Sequence, residues 1–143
     1  MWNTLKNAGM FIYLLLLSYF DCREKKVPCV LLTAGGTAVI LAVGLEVLWG
    51  EKGWIEAVYG LFPGCLLILT SVLTRKAGMA DGIVLLVLGA AEGFKRSLLL
   101  LCGSLLLLAS YSIVLILLRR AKMNSTIPYL PFVCIVYGGM HFI

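Results

Sequence analysis

Long, uninterrupted apolar blocks constrain this chain more than any other feature of its sequence. Of the 143 residues, 62% are hydrophobic and only 13% are charged, whereas a soluble domain carries roughly 25% charged residues. Blocks of about 20 apolar residues have the length of a helix that crosses a bilayer. The sequence therefore predicts an all-α fold, namely a polytopic membrane helix bundle of about six transmembrane helices, with residues 1–143 forming a single transmembrane domain.

Short polar or charged stretches separate six predicted membrane spans. They cover residues 7–20, 28–49, 54–74, 80–91, 97–118 and 127–143. We expect Pro28 to lie in the first turn of the second span, because its missing N–H has no helical partner there. Two G-x-x-x-G spacings, at Gly60/Gly64 and at Gly89/Gly93, are typical of close contacts between membrane helices.

The distribution of basic residues predicts the orientation. The loops after the first, third and fifth spans hold Arg23, Lys25, Lys26, Arg75, Lys76, Arg119, Arg120 and Lys122, whereas the opposite side holds only Lys6, Lys52, Lys95 and Arg96. Because cytoplasmic loops are enriched in Lys and Arg, we expect the N-terminus outside the cytoplasmic membrane and the three richer loops in the cytoplasm. The net charge of +5 is thereby assigned to topology and lipid contact rather than to nucleic acid.

The cysteines do not form a recognisable metal or disulfide pattern. The five are Cys22, Cys29, Cys65, Cys102 and Cys134, which are widely spaced and contain no C-x-x-C pair. This spacing argues against a zinc site and against a disulfide framework. We therefore expect neither a metal nor a cofactor.

Two aspartates stand at the edges of predicted spans. Asp21 follows the first span and Asp81 opens the fourth, so the predicted orientation places both at the cytoplasmic end. Two carboxylates held close together share a proton, because both cannot easily ionise. Such a pair can take a proton from water and give one to a scissile amide, which is peptide hydrolysis without a metal.

Simpler roles for these aspartates are open alternatives. Asp81 can cap the N-terminus of the fourth helix, and Asp21 can pair with Arg23 or Lys25. Either acid can also belong to the ion or proton site of a small transporter. Acids nearer mid-span and broken helices in corresponding halves would favour a transporter, and the sequence shows neither.

Three segments carry a resemblance to the prepilin peptidase family of membrane aspartyl proteases. FDCREKKVPCVLL, with Asp21, resembles the first-aspartate segment, and KAGMADGIVLL, with Asp81, resembles the Gly-x-Gly-Asp segment. IPYLPF, which begins at Ile127, resembles the C-terminal Ile-Pro-Phe-x-Pro-Phe segment. The resemblance differs at Ala80, which replaces the second glycine, at Gly82-Ile83, which replaces Val-Lys, and at Cys29, which replaces an asparagine.

The resemblance implies a function and a set of site residues. Asp21 and Asp81 take the catalytic positions, Gly78, Ala80 and Gly82 shape the backbone approach of the substrate, and Pro128 and Pro131 form a break near the site. The implied protein is a single-domain membrane aspartyl endopeptidase that cleaves the leader of prepilin or pseudopilin substrates at the cytoplasmic face of the cell membrane. The partner is then a substrate with a basic leader and an apolar helix.

Two further expectations follow from the resemblance. The zinc-binding domain and the methyltransferase portion of larger relatives do not occur in these 143 residues, so we expect cleavage without N-methylation. The altered GMAD motif leaves a second hypothesis open, namely a catalytically silent family member that acts as an assembly component of a pilus or secretion system.

Overall fold

Six α-helices make up the regular structure of the chain. A computed structural model describes residues 1–24, 26–50, 52–74, 79–119 and 127–142, and no strand occurs within these ranges. The helices are α1 (Trp2–Glu24), α2 (Cys29–Leu48), α3 (Trp54–Thr74), α4 (Met79–Glu92), α5 (Phe94–Leu117) and α6 (Leu130–Phe142). The predicted all-α fold class is therefore confirmed.

Three of these helices are long and apolar enough to cross a membrane. Within the described ranges they are α2, α3 and α5, and α6 is a shorter apolar helix. Most of their large apolar side chains are exposed rather than packed inside the chain, as expected for surfaces that face lipid tails. The protein is therefore a membrane protein, and the crossing of all six helices stays a prediction.

The helix ends differ from the prediction at two places where a charged residue or a proline was used to set the boundary. The predicted loop over residues 92–96 is wrong, because only Gly93, at φ 85°, separates α4 from α5. The Glu92 carboxylate accepts a hydrogen bond from Arg96 at 2.9 Å, so these charges bridge the two helix ends. Pro28 precedes α2 as its N-cap instead of lying in the first turn.

The internal contacts divide the chain into two compact units. One contains Met1–Val27 and Cys102–Ile143, and the other contains Pro28–Leu101. In the first unit α1 packs along α6, and the ring centroids of Phe11 and Phe142 are 5.1 Å apart. The single domain predicted for residues 1–143 stays a prediction.

The second unit is built on an antiparallel glycine contact between α3 and α4. A Cβ atom at Gly60 would collide with the carbonyl group of Gly89, and one at Gly64 would collide with the backbone of Leu86. Further along, a Cβ at Gly82 would meet Ile68. The predicted close contacts are confirmed at Gly60, Gly64 and Gly89, and the Cα atom of Gly93, which follows α4, lies 3.2 Å from the position that a Cβ atom at Gly60 would take.

Lys52 caps the carbonyl end of α4. Its Nζ atom donates hydrogen bonds to the carbonyl oxygens of Ala90 and Ala91, both at 2.6 Å. The last four carbonyl groups of a helix have no helical partner, and a cation there also complements the helix dipole. Lys52 and the glycine contact therefore fix the position of α4, whose first turn carries Asp81.

Candidate active site

Asp21 is a buried acid at the end of α1. It lies in the last turn of the helix, after the apolar segment 7–20, and its side chain is only 8% exposed. Its Oδ2 atom accepts a hydrogen bond from the backbone N–H of Leu130 at 3.2 Å, and the carboxylate also accepts one from the N–H of Tyr129. The acid therefore lies directly against the N-terminus of α6.

The sequence of the α6 N-terminus explains why those N–H groups are available. The first N–H groups of a helix have no helical partner. The carbonyl group of Tyr129 accepts hydrogen bonds from Phe132 at 3.1 Å and Val133 at 3.4 Å, and Pro131 has no N–H. The open donors of Tyr129 and Leu130 are thus the ones that Asp21 accepts. The Asp21 carboxylate of α1 therefore caps the N-terminus of α6.

Burial and hydrogen bonding act on Asp21 in opposite directions. Burial raises the pKa of the Asp21 carboxyl above its ordinary value of 3.8, and the N–H groups of Leu130 and Tyr129 partly lower that pKa again. Burial disfavours the charged form, whereas hydrogen bonds donated to the carboxylate favour it. The net effect is a raised pKa, so Asp21 holds its proton to a higher pH than an exposed aspartate does.

Tyr129 is held by its side chain as well as by its backbone. Its hydroxyl group and the Ser104 hydroxyl on α5 are 2.5 Å apart and share a buried hydrogen bond. Two turns further along α5, the ring of Tyr111 packs on that of Phe132 in the first turn of α6, with centroids 5.5 Å apart. The segment that contacts Asp21 is thereby anchored to α5.

Asp81 lies in the first turn of α4 and is half-buried. A carboxylate at this position interacts favourably with the positive end of the helix dipole, which agrees with the capping alternative and does not oppose a catalytic role. The contact of Gly82 with Ile68 sets the antiparallel register. One turn beyond Ile68, that register brings the buried Ser71 to the level of this first turn.

The other predicted site residues are distributed between these two regions. Ala80 is half-buried in the first turn of α4, and Gly82 is buried against α3. Pro128 precedes α6 and Pro131 lies in its first turn, on either side of Leu130, whose N–H binds Asp21. The break that these prolines are predicted to form stays a prediction. Gly78 lies outside the described residues. The roles of these residues in substrate approach stay predictions.

The ion-pair alternative for Asp21 finds no support at Arg23. The Arg23 guanidinium donates a hydrogen bond to the hydroxyl group of Tyr19 at 3.1 Å, while the partners of Asp21 are the backbone N–H groups of α6. Lys25, the other cation considered, lies outside the described residues.

Sequence reasoning missed two features of these regions. The first is the cap that Lys52 forms on α4, and the second is the hydrogen bond between Ser104 and Tyr129. Each joins residues that lie more than 20 positions apart in the sequence. The residue types involved are common at the ends of membrane spans, so they do not draw attention by themselves. A signal was present only at Tyr129, whose hydroxyl stands where the resembling motif has a phenylalanine.

The sequence profile of the type IV leader peptidase family matches residues 8–113, which is most of the chain and includes both Asp21 and Asp81. The chain belongs to the type IV leader peptidase family. The IPYLPF segment lies beyond the matched residues, so its resemblance rests on its own letters and on its contact with Asp21. No curated protein and no solved structure shows significant similarity to the chain.

Family membership supports a general function. Together with the apolar helices, it identifies a membrane protein of leader-peptidase type, in a family of aspartic proteases. The two aspartates singled out by their positions at span ends fall inside the matched residues. The family therefore supports protease chemistry in general and leaves the substrate and the mechanism to be proposed.

Proposed function

We propose that this leader peptidase family member is a membrane aspartyl endopeptidase that cleaves the leader of a prepilin or pseudopilin, with Asp21 and Asp81 as its catalytic pair. The observation that carries the proposal is the state of Asp21, a buried acid held against the N-terminus of α6 in a membrane protein of this family. Acids beside membrane spans are costly and mark functional sites.

The reaction needs one protonated and one ionised carboxyl group. The ionised carboxylate takes a proton from a water molecule, which attacks the carbonyl carbon of the scissile amide, and the protonated carboxyl delivers its proton to the leaving nitrogen. The raised pKa of Asp21 favours its protonated form. The hydrogen bond from the Leu130 N–H to its Oδ2 atom fixes the orientation of the carboxyl group.

The proposed substrate follows from the family and from the apolar surface of the chain. A pilin precursor has a basic leader followed by an apolar helix, and cleavage falls between the two. The exposed apolar side chains of α2 and α3 provide a lipid-like surface along which such a helix can lie. The basic leader would remain at the cytoplasmic face, where the site is proposed to lie.

The proposed orientation can be tested with native cysteines. Cys22 and Cys29 are exposed and lie on either side of the turn after α1. We expect both to resist a membrane-impermeant maleimide added to intact cells and to react after the membrane is opened. A Gly53→Cys variant, at an exposed position between α2 and α3, should react from outside. Labelling of Cys22 from outside would reverse the orientation.

The function itself is tested by cleavage of a prepilin from the same genome. Asp21→Asn and Asp81→Asn remove one carboxyl group each, whereas Glu24→Gln removes an exposed acid one turn from Asp21 and serves as the matched control. General acid–base groups contribute about 10²–10⁴-fold to rates, so we expect each aspartate variant to lose at least about 100-fold and the control to retain its activity.

Each variant is extracted from the membrane with detergent, and its size-exclusion elution profile is compared with that of the wild type to check insertion and folding. Cleavage that survives either aspartate substitution would refute the two-aspartate mechanism. Failure of the wild type to cleave several prepilins presented with intact leaders would favour the silent assembly component instead, with Ala80 in the GMAD motif as its distinguishing residue.

A further inference from the structure

We propose that Ser104 and Tyr129 are positioning residues for Asp21, because their hydrogen bond holds the backbone donors that the carboxylate accepts. The structural part of this inference stands alone, while its catalytic consequence rests on the proposed function. Both hydroxyls act on the carboxylate through the N-terminus of α6, whose backbone N–H at Leu130 binds Asp21.

Tyr129 connects two buried hydrogen bonds within one residue. Its backbone N–H donates to Asp21, while its hydroxyl shares a hydrogen bond with Ser104. Tyr129 is 6% exposed and Ser104 is fully buried. A buried hydroxyl that loses its partner pays the full cost of its desolvation, so the two hydroxyls hold each other strongly and Tyr129 has little freedom to turn.

The local sequence makes this side-chain anchor important for the backbone. Tyr129 precedes α6 and lies between two prolines, Pro128 and Pro131, neither of which has an N–H to contribute to a backbone hydrogen bond. The Leu130 N–H is already directed at Asp21. The Tyr129 carbonyl is bonded within α6 itself, whereas its hydroxyl provides a fixed point on a second helix, α5.

Loosening that fixed point has a defined effect on Asp21. Hydrogen bonds to the ionised carboxylate favour its charged form, so weaker donors leave burial less opposed. The protonated form of Asp21 would then persist to higher pH. In the proposed enzyme this moves the acidic limb of the pH–rate profile upward, because the limb reports the ionisation of the catalytic pair.

Other titratable groups lie on the helices around Asp21 and must be kept constant. Within the described part of this unit they are Lys6, Tyr13, Tyr19, Cys22, Arg23 and Glu24 on α1, Lys26 after it, Cys102, Tyr111 and Arg119 on or next to α5, and Cys134, Tyr137 and His141 on α6. His141 lies at the far end of α6, where its ring bonds the carbonyl oxygen of Tyr137. None of the substitutions below adds or removes a carboxyl, amino, guanidinium, thiol or imidazole group.

The experiment measures the protonation of Asp21 without requiring catalysis. The O–H of a protonated carboxyl group adds across one C=N bond of a hydrophobic carbodiimide. The resulting acylurea-type adduct at Asp21 is quantified by peptide mass spectrometry at a series of pH values. Tyr129→Phe and Ser104→Ala each remove one hydroxyl oxygen. Tyr111→Phe is the matched control, since it removes a hydroxyl from a ring that packs on the same helix.

We expect the midpoint pH of Asp21 labelling to rise by about one unit in Tyr129→Phe and in Ser104→Ala, which corresponds to a tenfold change in proton affinity. Tyr111→Phe should keep the wild-type midpoint. The double variant should shift no further than either single variant, because both remove the same hydrogen bond.

Unchanged midpoints in both single variants, or shifts that add in the double variant, would overturn the positioning role. If a single variant fails to elute as folded protein, Ser104→Thr, which keeps the hydroxyl, must restore the wild-type midpoint for the inference to stand. Shifted labelling in a protein that cleaves no prepilin would uphold the positioning and reject the proposed function. Normal cleavage with unshifted labelling would uphold the proposed function and reject the positioning role.

Discussion

Replacing Gly60 with alanine places a methyl group against the carbonyl group of Gly89, at the closest contact between α3 and α4. Neither partner can turn aside, because both belong to the backbone of a helix. The two helices must therefore move apart, and α4 carries Asp81 in its first turn. The effect of this single methyl group tests whether the glycine contact fixes the second unit.

The magnitude follows from a comparison with a second glycine. Gly44 lies in α2, and a Cβ atom there meets nothing within 4 Å. Alanine in place of glycine stabilises a helix by about 1 kcal/mol at either position, so this contribution cancels between the two variants. The difference that remains is the cost of overpacking, about 1–3 kcal/mol. Gly60→Ala should be less stable than Gly44→Ala by that amount.

The assay is reversible unfolding in mixed micelles by titration with sodium dodecyl sulfate, followed by tryptophan fluorescence. Gly89→Ala should cost a similar free energy, and the double variant should lose less than the sum, because the helices have already separated. Equal stability of Gly60→Ala and Gly44→Ala would show that the contact between α3 and α4 does not have the described geometry.

Two further predictions concern charged groups. Lys52→Met removes both hydrogen bonds to the carbonyl oxygens of Ala90 and Ala91 and should lower the free energy of unfolding by about 1.5–3 kcal/mol. Lys95→Met, at an exposed position, should change it little. Equal losses in the same micelle titration would show that the Lys52 cap does not stabilise α4. Because burial raises the pKa of Asp21 above 3.8, the folded state binds that proton more tightly than the unfolded chain, so its contribution to stability is complete below about pH 3.8 and is lost as the pH rises through the raised pKa. Asp21→Asn should flatten that decline in the melting temperature, and an unchanged slope would contradict it.

The apolar blocks predict the helices well because transmembrane length and composition do not depend on long-range contacts. The bounds of α3 agree with the predicted span 54–74, and those of α4 differ by one residue at each end. Errors occur where a charge was taken to end a helix. Glu24 lies within α1, and Lys95 and Arg96 lie within the first turn of α5, since exposed charged side chains are compatible with helical backbone.

The candidate site was predictable only in part. The positions of Asp21 and Asp81 at span ends, together with the flanking motifs, are visible in the sequence. The cap that Asp21 forms on α6 is not, because Leu130 lies 109 residues away and no periodicity connects the two. Gly60 and Gly89 could be identified as contact residues by their spacing, but their pairing with each other depends on the register of two antiparallel helices.

The shortness of α4 links the proposed enzyme to the thickness of its membrane. At about 1.5 Å per residue its 14 residues extend for about 21 Å, roughly 9 Å less than the hydrocarbon core of a typical bilayer. Because Lys52 binds its carbonyl end and Asp81 occupies its first turn, both ends of this helix are polar. On the prediction that α4 crosses the membrane, the bilayer around it must thin, or water must enter it, for bulk water to reach Asp81. A bilayer of shorter acyl chains would reduce that mismatch and expose the carboxylate to its water molecule at a lower cost.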